Sequence, residues 1–137
     1  MNMFEIEREI FTAVADTVLA TYSTCQILNK FIYAPDKFPC TSIVMGDDGT
    51  PYAMFDSSRA DNFHDVTLNI DVYSNKVDGN KTEAEAIMQI IKDKLISLNF
   101  VMVSCKPNSN ISNASIYRIT ATFTARVNAS GNIFKRR

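Results

Sequence analysis

Polar and apolar positions alternate most plainly from His64 to Tyr73. Val66, Leu68, Ile70 and Val72 fall on one side, and Asp65, Thr67, Asn69 and Asp71 on the other. A period of two predicts a strand with one wet face. The same period returns near the end of the chain. Tyr117, Ile119, Ala121, Phe123, Ala125 and Val127 alternate with Arg118, Thr120, Thr122, Thr124 and Arg126. That predicts a long, half-buried strand.

Two segments carry a helical period instead. Thr82 to Leu98 places Ala84, Ile87, Met88, Ile91, Leu95 and Leu98 on one stripe. Thr82 and Glu85 stand at capping-box spacing, and Asn99 suits a left-handed stop. Near the N-terminus, Asn2 can cap with Glu5 three residues on. Phe4, Phe11, Val14, Val18 and Tyr22 then make one stripe, and Met3, Ile6, Ile10 and Ala13 a second beside it. A helix apolar over more than one face either lies deep in the core or meets another subunit.

Weaker signals fill the gaps. Gln26–Tyr33 and Phe38–Met45 read as strands around an Ala34-Pro35-Asp36-Lys37 turn, and Pro39 suits a strand start or an edge. Gly46–Asn62 is a long polar connection of the kind that is usually functional or mobile. Ser74–Asn80 is a turn, Phe100–Cys105 a short strand and Lys106–Asn113 a polar loop. The order is α-β-β-β-α-β-β. It predicts an α+β fold, with two helices packed on one face of a mainly antiparallel sheet of four to five strands.

The chain has 137 residues, of which 46% are apolar and 21% charged. Those figures suit one globular domain and exclude disorder, collagen and coiled coil. The domain is expected to span 1–137, with a core at 1–128 and a polar basic tail at 129–137. No apolar run is long enough for a membrane span. Acids near the start replace the basic and apolar regions of a signal peptide, so a cytoplasmic setting is expected.

Basic and acidic side chains nearly cancel, at 14 against 15. Residues 1–72 nevertheless hold 4 basic and 11 acidic side chains, net −7, and residues 73–137 hold 10 and 4, net +6. Two readings follow. Either the halves interleave and the charges mix, or the subunit has an acidic and a basic face suited to head-to-tail contacts.

Chemistry is sparse. The only histidine, His64, has Asp61 and Asp65 nearby in sequence, so any dyad or metal site hangs on that one residue. A solvated strand end is the plainer reading. Cys25, Cys40 and Cys105 are odd in number and far apart, which fits neither a disulfide framework nor zinc; buried, inert thiols are expected. Asp47-Asp48-Gly49 lacks the spacing of a calcium loop, and Gly79-Asn80-Lys81-Thr82 lacks the second glycine of a phosphate loop. Four Asn-x-Ser/Thr triplets fall in polar stretches of an asparagine-rich chain and read as unmodified loops. Lys135, Arg136 and Arg137 make a weak basic patch. Arg118 and Arg126 share a strand face that reads equally as solvent-exposed or as an interface rim. Together the residues favour an assembly subunit over an enzyme, with no metal, cofactor or catalytic set.

Several short motifs carry a resemblance. They are Phe38-Pro39, Val72-Tyr73-Ser74-Asn75-Lys76, Thr82-Glu83-Ala84-Glu85, Leu98-Asn99-Phe100, Pro107 and Ile116-Tyr117-Arg118-Ile119. In this order and spacing the chain resembles the small tail terminator or tail-completion proteins of long-tailed phages and prophages, over roughly residues 3–128. The resemblance implies helices on a β-sheet and a ring, usually a hexamer, seated on the last ring of the tail tube. It implies a structural virion protein without catalysis, located in the tail or neck and in the host cytoplasm during assembly. Its partners would be copies of itself, the tail-tube protein below and a head-connector protein above, with no membrane and no sequence-specific nucleic acid. By similarity, Gly46–Asn62 would project from the ring. Candidate interface residues are Phe4, Ile6, Ile10, Asp47, Asp48, Arg59, Asp61, Arg118, Arg126, Lys135, Arg136 and Arg137. Another neck role, as a head-closure or adaptor subunit, is the nearest alternative. A small-molecule-binding domain around Asp61, His64 and Asp65 is a more distant one.

Overall fold

The computed structural model describes residues 3–30, 35–45, 63–108, 115–128 and 133–134, with backbone alone for 3–6, 63–65, 126–128 and 133–134. The elements are α1 (Met3–Leu19), β1 (Gln26–Leu28), β2 (Cys40–Met45), β3 (Phe63–Ser74), α2 (Asn80–Ser97), β4 (Val101–Pro107), β5 (Tyr117–Asn128) and β6 (Ile133–Phe134). The α+β class and the order of helices and strands are as the pattern predicts. The sheet runs β1-β2-β3-β5-β4, with β6 pairing with β5 as a sixth strand. It is therefore one strand larger than expected. The pairing is antiparallel throughout except for β1, which runs parallel to β2.

The spine of the sheet is the β3–β5 pair, joined from Phe63 opposite Asn128 to Ser74 opposite Tyr117. The two alternating patterns meet in register. Leu68 lies opposite Phe123 and Ile70 opposite Ala121, so one side of both strands is apolar. That side packs under the helices. Ile10, Val14 and Val18 of α1, and Ala84, Ile87, Met88, Ile91 and Leu95 of α2, join it in one core. Fully burying each large side chain contributes about 1.5–3 kcal/mol.

Helix α2 starts two residues before the predicted cap. Asn80 opens it, with the Asn80 Nδ2 donating to the Ser115 carbonyl at 3.1 Å. Thr82 therefore lies inside the first turn, where it cannot cap. Glu83 has a different job, accepting from the buried Ser74 hydroxyl at 2.6 Å and so fastening the helix start to the end of β3. At the other end, Asn99 adopts φ 71°. The Phe100 N–H donates to the Leu95 carbonyl at 2.9 Å, and the Asn99 N–H to that of Ile96 at 3.0 Å. These are the two bonds of a Schellman stop, with Phe100 and Leu95 both buried beside it.

Other boundaries shift for local reasons. The predicted strand over Gln26–Tyr33 is three residues long among the described residues, and 31–34 lie outside them. The strand expected from Phe38 begins at Cys40, after a cis Phe38–Pro39 bond. Pro39 has no N–H to give a ladder, yet its carbonyl accepts from the Gln26 N–H at 2.9 Å. Strand β4 runs on to Pro107 at the sheet edge and carries an irregularity between Met102 and Ser104.

Candidate functional site

The side of the sheet away from the main core is polar and is sealed at one end. Cys40, Tyr73 and Ile116 cluster there, with Leu28 and Phe38 packed against them. This small second core encloses charge. The Arg118 Nε donates to the Asp71 Oδ1 at 2.9 Å, with the two side chains 4% and 7% exposed. The Thr120 hydroxyl donates to the same oxygen at 2.5 Å. The Asn108 Nδ2 donates to the Thr120 Oγ1 at 3.0 Å, tying in the connection after β4. The Arg118 guanidinium also sits 5.3 Å from the centre of the Tyr73 ring.

Strand register explains the cluster. Asp71 lies opposite Thr120, and Tyr73 opposite Arg118, on alternate rungs of the β3–β5 pair that share one face. Burial pushes the Tyr73 phenol up to about 12, with the Asp71 carboxylate adding to it. Burial likewise pushes the Cys40 thiol up to about 12. Neither group ionises near neutrality. A paired carboxylate, a paired guanidinium and a protonated phenol make a clamp that holds strands, with no free acid, base or nucleophile among these groups.

An alkaline limit on stability follows. The ordinary values are 10.0 for the Tyr73 phenol and 9.0 for the Cys40 thiol, so the folded chain holds both protons more tightly than the unfolded chain. Stability is then full below about pH 9 and falls as pH rises towards about 12, because the unfolded state loses its protons first. Melting temperature measured across that range should fall, and Tyr73→Phe should flatten part of the fall. An equal slope in the variant would count against the assignment.

The candidate interface residues separate. Ile10 is buried in the core of its own chain, so it is not an interface side chain. Arg118 is also withdrawn: neither solvent nor a rim, but the second core, surrounds it. A helical period shows which positions share a stripe, not which stripe turns inward, and alternation alone shows a face without showing what covers it. Arg126 lies on β5 opposite Asp65 and Phe134. Phe4 and Ile6 lie in the first turn of α1. The side chains of all three are outside the description. Asp47, Asp48, Arg59, Asp61, Lys135, Arg136 and Arg137, with the loop Gly46–Asn62, lie outside the described residues. His64 is the second residue of β3, opposite Val127. Cys25 and Cys40 are buried as expected, but Cys105, on the edge strand β4, is exposed.

Two surfaces that sequence reasoning missed flank the sheet. Beside β4, a cavity of about 260 Å³ is lined by Glu85, Met88, Gln89, Lys92, Met102, Cys105 and Ile119. At the opposite side, a cavity of about 320 Å³ lies between α1 and the residue after β1, lined by Glu7, Arg8, Phe11 and Asn29. The strand order also settles how the chain halves are arranged in the sheet. Strands β1, β2 and β3 of the acidic half lie on one side, and β5, β4 and β6 of the basic half on the other. In the sheet the halves adjoin at β3–β5, and above it α2 of the basic half packs with α1 of the acidic half in one core.

Among the described residues no three His, Cys, Asp or Glu side chains are grouped to hold a metal ion. Among the same residues no helix is long and apolar enough to cross a membrane. No protein-family model matches the chain, and a search of curated proteins finds no match.

Proposed function

We propose that the chain is a structural subunit of a phage tail, forming a ring that ends the tail tube and presents the surface to which the head is joined. The observation that carries this reading is where the family-like motifs fall in the fold. Phe38-Pro39 leads into β2, Val72-Tyr73-Ser74 closes β3, and Thr82-Glu83-Ala84-Glu85 lies in the start of α2. Leu98-Asn99-Phe100 forms the Schellman stop, Pro107 ends β4, and Tyr117-Arg118-Ile119 opens β5. The motifs thus lie at or next to the ends of strands and helices, which supports reading them as an ordered set. Several also meet at one corner, where Cys40 lies opposite Tyr73, Tyr73 opposite Arg118, and Pro107 opposite Ile119. The motifs at the ends of β3, β4 and β5 are thus in contact with one another.

In this reading the subunit acts by shape and charge. A tube of stacked rings grows while its top surface accepts another ring. A cap must match that surface below and present a different one above. Partners are the tail-tube protein below and a connector protein above, and the work is structural, within the virion neck.

Tube growth tests the proposal. Purified tail-tube protein of the same phage, polymerised with increasing amounts of this chain, should give shorter tubes with the chain at one end only, as seen by electron microscopy. Unchanged tube length and no end binding would contradict the reading. Binding to a portal or connector ring in place of the tube would move the chain to another neck position.

A further inference from the structure

We infer that the cavity between α2 and β4 is a binding site for a soft monovalent metal ion, Cu(I), held by the sulfur atoms of Met88, Met102 and Cys105. The inference stands apart from the ring reading above.

A bulge brings two of the sulfurs to one face. In a regular strand, residues three apart point to opposite faces. Met102 and Cys105 stand at that spacing, yet Met102 lies opposite Phe123 and Cys105 opposite Ala121. Strand β4 therefore takes three steps where β5 takes two, and Val103 has no partner in the ladder. Phe123 and Ala121 both belong to the main core, under the helices. The extra residue thus turns Cys105 to the helix side, beside Met102, as bulges re-aim side chains elsewhere. Helix α2 brings the third sulfur. Glu85, Met88, Gln89 and Lys92 recur at helical spacing and line the same cavity of about 260 Å³ as Met102, Cys105 and Ile119.

The donor set selects the ion. Thiolate and thioether are soft ligands, and Cu(I) favours them. Zn(II) takes thiolate, imidazole or carboxylate, and only Cys105 and Glu85 at this cavity are of those kinds. Charge agrees with the choice. One thiolate and two neutral thioethers around Cu(I) make an uncharged centre, which apolar walls tolerate far better than an isolated ion. Glu85 and Lys92, both at the cavity, carry opposite charges and offset one another. Access agrees as well. Met88 is 3% exposed and lies deep, whereas Cys105 is exposed to an arriving ion. On binding, the Cys105 thiol gives its proton to solvent, and copper stays in the +1 state.

Copper competition tests the site on the full chain, without oxygen and with bicinchoninate as the rival Cu(I) ligand. The wild type should withdraw one equivalent of Cu(I), and native mass spectrometry should show one ion on one chain. Cys105→Ser should abolish the competition. Met88→Leu and Met102→Leu conserve apolar volume, so the melting temperature should hold. Each should still weaken Cu(I) binding by roughly tenfold or more, since a lost ligand costs no less than a lost supporting contact. Zn(II) should not displace the copper. Wild-type affinity in both leucine variants would overturn the site and leave only a reactive thiol. Tight binding retained in Cys105→Ser, an ion shared between two chains, or a wild type that cannot draw Cu(I) from bicinchoninate would overturn it equally.

Discussion

Arg118→Ala should destabilise the fold by about 3–5 kcal/mol, the usual loss when one partner of a buried ion pair is removed. The reason is the carboxylate left behind. Asp71 Oδ1 accepts from both the Arg118 Nε and the Thr120 hydroxyl, within a cluster closed by Cys40, Tyr73 and Ile116. Without the guanidinium, a buried charge keeps one neutral donor and no counter-charge. Asp71→Ala should cost a comparable amount by stranding the guanidinium under the Tyr73 ring. The double change Asp71→Leu with Arg118→Met should lie close to the wild type, because apolar replacement of a whole buried pair is often neutral or better. Urea unfolding of the four proteins gives the answer. Single variants close to wild type would mean that the pair is wet and weak.

Phe123→Ala should cost about 3–5 kcal/mol for a different reason, the cavity left in a packed core. Phe123 is completely buried at the centre of β5. It stands opposite Leu68 on one side and Met102 on the other, and Leu68 in turn lies opposite Met45. A single rung thus crosses β2, β3, β5 and β4 beneath the helices. Truncation at that point weakens four strands and the helix layer together. A loss below about 1 kcal/mol in urea unfolding would show that the neighbours collapse into the space, or that the rung is not a core rung.

How much of this was legible in the sequence depended on whether a local signal was enough. The stripe from Ala84 to Leu95 and the alternations around Leu68 and Phe123 announced α2, β3 and β5, because periodicity reports burial directly. Asn99 announced the end of α2, because few residues tolerate its backbone. The Thr82 cap failed where a tertiary contact intervened: Asn80 reaches the Ser115 carbonyl and draws the helix start back two residues. Ile10 and Arg118 failed as interface residues for the same kind of reason. Whether an apolar stripe or a cation faces water depends on which element lies over it, and sequence spacing does not carry that. The Asp71–Arg118 pair had only a faint signal, an acid and a base on the polar sides of two alternating strands. The register that brings them together is set by the whole sheet. The charge asymmetry was legible as a count, but a count does not say which side chains pair across the fold, as Asp71 of the acidic half does with Arg118 of the basic half.

The mass of the native chain in solution tests the central claim most directly, by light scattering over a dilution series, first alone and then with tail-tube protein. A closed species of several copies, formed alone or only on the tube, is the expected result, and its mass gives the ring size. A monomer that persists at every concentration and ignores the tube would contradict the account.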